Sequence, residues 1–135
     1  MCGISGYISN RNLLADNDIQ ITLDLMKRRG PDSQDFYKKN YQSKDVALLH
    51  SRLNIIDLNT QSNQPFYDED FILVFNGEIY NYIELRNDLK NKNYTFRTNS
   101  DTEVLLKAFQ EYGNKCVDYF IGMWAFAIWD LKKKK

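Results

Sequence analysis

Apolar positions recur along this chain with two different periods, and the changes of period mark its elements. Ile4, Tyr7 and Ile8 predict a buried strand over 3–9, starting almost at the N-terminus. Asp16, Asn17 and Asp18 then supply candidates for a helix N-cap, with Ile19, Leu23 and Met26 following at helical spacing. That helix should stop before Gly30-Pro31, because proline removes a backbone donor and restricts the residue ahead of it. Phe36 and Tyr37 fall in a further strand. Val46-Ala47-Leu48-Leu49 and the run 53–56 read as two more, interrupted by the polar His50-Ser51-Arg52. Residues 60–65 form a polar loop, and Phe71-Ile72-Leu73-Val74-Phe75 is the clearest buried strand.

The period then changes to that of helices. Asn81 is placed to cap one, with Glu84 completing a capping box and Leu85 and Leu89 on one face. Ser100 and Glu103 suggest a second box, ahead of a stripe of Val104, Leu105, Ala108, Phe109 and Tyr112. Gly113 is a natural stop. Residues 123–129 form an aromatic strand, and Asp130-Leu131 begins a turn. No internal repeat and no Pro-, Gly- or Ser-rich linker interrupts the chain, so strands and helices in mixed runs predict one α+β, layered sheet–helix domain. The sequence ends at Lys132-Lys133-Lys134-Lys135, where a hairpin should turn back. An apolar strand without a returning partner leaves an exposed edge. The chain is therefore expected to be an N-terminal piece of something longer.

Composition narrows the functional classes. The 135 residues suffice for one domain with a real core, and 43% hydrophobic and 14% aromatic residues are globular values. Eighteen basic residues balance eighteen acidic ones, which gives no support for nucleic-acid binding. No apolar run approaches a membrane span, and the N-terminus lacks the pattern of a signal peptide. Two cysteines and one histidine give neither a disulfide framework nor metal-ligand spacing. Cys116 is expected to be buried and inert. A reducing cytoplasm fits and would keep Cys2 as a thiol.

Cys2 carries the first chemical signal. Removing Met1 leaves a cysteine whose own α-amine is free. A thiol titrates near about 8.5 and an α-amine near about 7.7–8.0, so the amine is suited to take the thiol proton as sulfur attacks a carbonyl. Asn76-Gly77-Glu78 follows the 71–75 strand directly. Asn-Gly is a hairpin signal, but helix signals rather than a second strand come next. The pair is therefore read as a strand end, with the Asn76 amide and the Gly77 N–H converging on one oxygen. Arg52 lies among apolar residues and offers a fork for a carboxylate. Asp101 opens a helix, where the dipole alone would favour an acid. With Glu78 it would also clamp an ammonium. Together these groups describe a site for the head of a free α-amino acid. His50 is expected to be a hydrogen-bonded core residue rather than a base.

The motifs Cys2-Gly3-Ile4-Ser5-Gly6, Arg28-Arg29-Gly30-Pro31-Asp32, His50-Ser51-Arg52-Leu53, Asn76-Gly77-Glu78-Ile79-Tyr80-Asn81, Ser100-Asp101-Thr102-Glu103 and Gly122-Met123-Trp124-Ala125-Phe126-Ala127-Ile128-Trp129-Asp130 occur in that order. The series resembles the N-terminal glutaminase domain of glutamine-dependent asparagine synthetases, a class II glutamine amidotransferase, across essentially all of residues 1–135. The resemblance implies the N-terminal-nucleophile hydrolase fold, a four-layer α/β/β/α sandwich of two antiparallel sheets, here cut short at its C-terminal end. It implies Cys2 as nucleophile, Asn76 and Gly77 as oxyanion hole, and Arg52, Leu53, Asn54, Ile55, Ile56, Asn76, Gly77, Glu78 and Asp101 as contacts to L-glutamine. It implies no cofactor for the glutaminase domain, and ATP and Mg only on a synthetase domain or subunit absent from this sequence. A homodimer, and no nucleic-acid or membrane partner, complete the expectations. The chain departs from the family at Asp35, where a glycine is usual. If that backbone needs positive φ, Asp tolerates it less well than Gly.

The expected reaction is attack of the Cys2 thiol on the glutamine carboxamide, loss of ammonia, and hydrolysis of a γ-glutamyl thioester. In the family the ammonia serves ATP-dependent asparagine synthesis from aspartate. Three alternatives stand beside it: a truncated, non-catalytic module, a different N-terminal-cysteine hydrolase acting on a non-glutamine amide, and a glutaminase serving another acceptor such as a sugar acid.

Overall fold

Alternation of inward and outward side chains builds two three-stranded antiparallel sheets, which pack face to face between helices. The computed structural model describes residues 2–10, 15–41 and 44–135. The first sheet contains β1 (Gly3–Ser9), β2 (Ser33–Tyr41) and β3 (Lys44–Arg52) in the order β1-β3-β2. The second contains β4 (Phe66–Tyr67), β5 (Phe71–Ile79) and β6 (Gly122–Asp130) in the order β4-β5-β6. Helix α1 (Asp16–Met26) covers the outer face of the first sheet, while α2 (Tyr82–Asn91) and α3 (Asp101–Tyr112) cover the second. The result is the expected four layers.

The central strands β3 and β5 show why. Ala47 and Leu49 of β3 meet Ile19 and Leu23 of α1, whereas Val46 and Leu48 point the other way, onto Ile72 and Val74 of β5 and Trp129 of β6. Leu73, Phe75 and Ile79 of β5 face Leu85 and Leu89 of α2 and Val104, Leu105 and Ala108 of α3. Each central strand thus buries both faces, and side chains two apart share one face. Cys116 lies in the helix-side core, fully buried, with its thiol pushed up to about 11 by burial.

Several expectations are corrected. His50-Ser51-Arg52 does not interrupt a strand; β3 runs through all three, and all are buried. Residues 53–56 are not a strand but the irregular segment that follows β3. Asn76-Gly77 is not a strand end, because β5 continues to Ile79 and pairs Gly77 with Trp124 of β6. Asn81 precedes α2 but does not cap it with its side chain. Its amide instead donates to Tyr119 O and accepts from Ile121 N–H, each at 2.9 Å. The second capping box is half formed. Ser100 Oγ accepts the Glu103 N–H at 3.4 Å, while the Glu103 carboxylate takes the N–H groups of Arg97 and Thr98 and the Thr98 hydroxyl. Ala15, not an acid, precedes α1, and Asp18 accepts its N–H at 3.1 Å. Asp35 lies within β2 opposite His50 and is not among the positive-φ residues, so a glycine is not required there.

Candidate active site

The face between the sheets changes character along its length. On β3 the inward row reads Val46, Leu48, His50, Arg52; on β5 it reads Ile72, Val74, Asn76, Glu78. Both rows turn from apolar to polar at the same end of the sandwich. There they open onto a cavity of about 210 Å³ lined by Cys2, Arg52, Asn76, Gly77, Glu78 and Asp101 among others.

Cys2 reaches this end because β1 lies alongside β3, with Gly3 opposite Ser51. Its Sγ sits against the backbone just past β3, 3.4 Å from the donating Leu53 N and 3.7 Å from Leu53 O. Arg29 Nε donates to Cys2 O at 3.1 Å and pins the main chain there. Gly30 makes room for this corner, since a Cβ on it would lie 2.1 Å from Ser51 O. The expected loss of Met1 lies outside the described residues.

The Asn76–Gly77 segment of β5 lines the same cavity as Cys2. A Cβ on Gly77 would lie 2.2 Å from Met123 O, and its φ of +153° is one that side-chain-bearing residues rarely adopt. Glycine here follows from how closely β6 approaches. Ile79 N–H points away from β6 and donates to Asp101 Oδ2 at 3.1 Å, and Phe75 N–H donates on the same side to Gln64 Oε1 at 2.6 Å. Backbone direction alternates, so the Gly77 N–H lies on that side too, between two occupied donors, where the cavity opens. Asn76 Oδ1 is buried without a partner.

Charged side chains line the same cavity. Arg52 is 5% exposed. Its Nη1 donates to Asn59 O at 3.1 Å and to Asn63 Oδ1, and its Nη2 to Asp57 O. A guanidinium has five donors, so part of the fork remains for a ligand. Burial pulls its pKa down, while Cys2, Asp57 and Asp32 oppose that. Asp57 shapes the loop from a left-handed backbone, φ +56°. Its carboxylate accepts from Ser62 Oγ at 2.7 Å, Asn99 N at 2.9 Å and Asn59 N at 3.0 Å. Burial alone would push this carboxyl up; the hydrogen bonds and the Arg52 charge together hold it below the usual range. Asp57 thereby ties the Arg52 loop to the turn before Asp101. Arg86 braces the same turn, donating to Thr98 O at 2.6 Å and Ser100 O at 2.9 Å. The Asp101 carboxyl is pushed up, chiefly by burial and further by Glu78, against the lowering effect of the Ile79, Asp101 and Thr102 N–H groups.

The structure brings nine of the ten sequence-derived site residues to one cavity: Cys2, Arg52, Leu53, Ile55, Ile56, Asn76, Gly77, Glu78 and Asp101. Asn54 does not line it; its N–H donates to Asp32 Oδ2 at 2.7 Å, and its own Oδ1 is buried without a partner. Sequence reasoning missed Ser62, Gln64, Phe75, Tyr80, Ser100, Thr102 and Met123 as lining residues. Most adjoin motifs it did single out; Ser62 and Gln64 lay in what read as a plain polar loop. His50 is fully buried, and burial lowers its pKa to about 4. It is the hydrogen-bonded core residue expected.

A model of the glutamine amidotransferase domain matches residues 1–135. The chain is 40% identical over 136 residues to asparagine synthetase (glutamine-hydrolyzing) 1 of Bacillus subtilis, a match covering 96% of this chain and 21% of that protein. To asparagine synthetase B (glutamine-hydrolyzing) of Escherichia coli it is 41% identical over 111 residues, covering 81% and 19%. The chain thus spans about a fifth of the length of these relatives. Among solved structures, the glutamine phosphoribosylpyrophosphate amidotransferase of B. subtilis, in complex with ADP and GMP, is similar with a TM-score of 0.54 at 26% identity. That match covers 63% of this chain and 21% of the other.

Proposed function

Since the chain belongs to the glutamine amidotransferase domain family, we propose that it hydrolyses the side-chain amide of L-glutamine with Cys2 as an N-terminal nucleophile. One observation carries the reading. A thiol, amide donors, a guanidinium and a pair of carboxylates line a single cavity, matching in kind the carboxamide, α-carboxylate and α-ammonium of glutamine.

Arg52 receives the α-carboxylate, and Asp101 with Glu78 receives the α-ammonium. This directs the carboxamide toward Cys2. With Met1 removed, the Cys2 α-amine takes the thiol proton, and the Leu53 N–H beside Sγ favours negative charge on sulfur. The S–C bond forms, and the carbonyl oxygen gathers charge against the Asn76 amide and the Gly77 N–H. Collapse breaks the C–N bond; the α-ammonium returns the proton, and ammonia leaves. Water, activated by the same amine, then cleaves the γ-glutamyl thioester to glutamate and restores the thiol. Asn54 acts from outside the cavity, holding the segment after β3 through Asp32.

No cofactor takes part in these steps. The relatives' names add a destination, ammonia supplied to an asparagine-forming synthetase domain or subunit; by the family resemblance, that part would use ATP with Mg. A thiol nucleophile suits a reducing compartment such as the cytoplasm. No helix among the described residues is long and apolar enough to cross a membrane. The test is ammonia and glutamate release from glutamine by the Met1-processed protein, against Cys2→Ala. Equal rates would contradict the mechanism, as would a protein from living cells that still carries Met1.

A further inference from the structure

β5 carries an unpaired edge where the oxyanion would form, and side chains from two other segments hold it. β4 meets this edge at Phe66 opposite Leu73 and then stops. In this register the backbone of the residue before it, Pro65, points away from β5, so the next main-chain partner for the edge would be Gln64. The same register carried two residues further sets Gln64 opposite Phe75. In a continued sheet the Gln64 main chain would exchange two hydrogen bonds with Phe75. Two side chains replace them. Gln64 Oε1 accepts the Phe75 N–H at 2.6 Å, and His50 Nε2 lies 3.1 Å from Phe75 O. A carbonyl only accepts, so His50 carries its proton on Nε2. Gln64 is 5% exposed and His50 0%. Both peptide groups of Phe75 are thus fixed, and the next residues along the strand are Asn76 and Gly77.

His50 is an expensive way to fill its place. It continues the inward row of Val46 and Leu48, where an aliphatic side chain would pack without polar atoms. Its Nδ1 is instead buried without a partner. A half-satisfied polar group in a core needs a reason beyond packing, and the bond to Phe75 O supplies one.

We propose that Gln64 and His50 are positioning residues of the oxyanion hole: they lock the unpaired edge of β5 at Phe75 so that the Asn76 amide and the Gly77 N–H meet the developing oxyanion. The inference rests on the glutaminase reading above. Without these two bonds, nothing from a neighbouring strand among the described residues fixes this edge between Leu73 and Ile79. A misplacement of about 1 Å costs on the order of 10² in rate, and an oxyanion donor lost outright costs on the order of 10²–10³.

The experiment uses the Met1-processed protein and measures glutamine hydrolysis beside alkylation of Cys2 by iodoacetamide. Alkylation forms the S–C bond as iodide leaves and makes no oxyanion, so it reads the thiol and the fold alone. Cys116, fully buried, does not compete. Gln64→Met and His50→Leu should each lower kcat about 10–100-fold, with KM within about 3-fold and alkylation within about 2-fold of the parent. His50→Gln, whose Nε2 reaches the same point, should recover kcat to within about 3-fold of the parent. In an Asn76→Ala background the Gln64→Met loss should shrink, because both act on one element. Parental kcat in the two disruptive variants overturns the proposal. So does alkylation that slows in step with kcat, or a His50→Gln protein as slow as His50→Leu. A parent that is alkylated at Cys2 yet releases no ammonia from glutamine contradicts the glutaminase reading itself, a result distinct from all of these.

Discussion

The two ends of the layer between the sheets are made from the same strands and do opposite things. At one end Val46, Leu48, Ile72, Val74 and Trp129 exclude water and hold the sheets together. At the other, the next residues of the same rows are polar, His50, Arg52, Asn76 and Glu78, and a cavity opens with Cys2, Arg52, Asn76 and Glu78 in its wall. Period-two alternation delivers both, so the division between stability and chemistry falls along the strands rather than between elements. The dry end should tolerate no polarity, and the wet end should tolerate loss of function without loss of fold.

The sharpest break between the ends is Cys2→Ala. It should lower glutamine hydrolysis by on the order of 10³-fold or more and leave the melting temperature within a degree or two, as read by calorimetry beside the assay. Ile72→Ala should do the reverse. Truncating that fully buried side chain costs about 2–5 kcal/mol in urea unfolding, with kcat per folded molecule unchanged. His50 stands at the boundary and should couple the two through pH. Its pKa falls from 6.5 unfolded to about 4 folded, mainly through burial. The unfolded chain therefore binds a proton between those values that the native state refuses. The stabilisation is fully present above pH 6.5 and lost as pH falls toward 4, about 3 kcal/mol in all. Urea midpoints against pH should show this loss in the parent and not in His50→Gln. The smallest effect is expected at the recognition end. Asp101→Asn should raise KM for glutamine about 10-fold with kcat nearly unchanged, since one ion pair is lost and no reacting group. Because burial raises the Asp101 pKa, KM in the parent should begin to climb at a higher pH than for an ordinary aspartate as acid removes its charge.

The same boundary explains what could be read from the sequence. Apolar periodicity announced β1, α1, α3, β6 and the dry half of β5 as elements, although β1 is not the buried strand expected, with Ile8 exposed, and β6 leaves Met123 and Trp124 exposed. It failed where the rows turn polar. His50-Ser51-Arg52 looked like a break because polar residues in a strand usually face water, yet here all three are buried and Arg52 lines the cavity. Asn76-Gly77 looked like a terminus because helix signals rather than a second strand follow it, whereas β5 runs on to Ile79 and the close approach of β6 demands the glycine. The run 53–56 mimicked a strand, and its apolar residues Leu53, Ile55 and Ile56 turned out to line the site. Site residues set apart by chemical type, such as Cys2, Arg52 and Asp101, were legible one by one. Gln64 and Asp57 were not, because their importance lies in bonds to backbone groups that only the fold brings near.

The most direct test of the account is the intact mass of the Met1-processed protein, quenched in acid during turnover of glutamine and then mapped by peptide. The account predicts one glutamyl group, carried on the N-terminal peptide at Cys2 and absent from Cys2→Ala. A glutamyl group elsewhere, or steady turnover with Cys2 replaced, would contradict it.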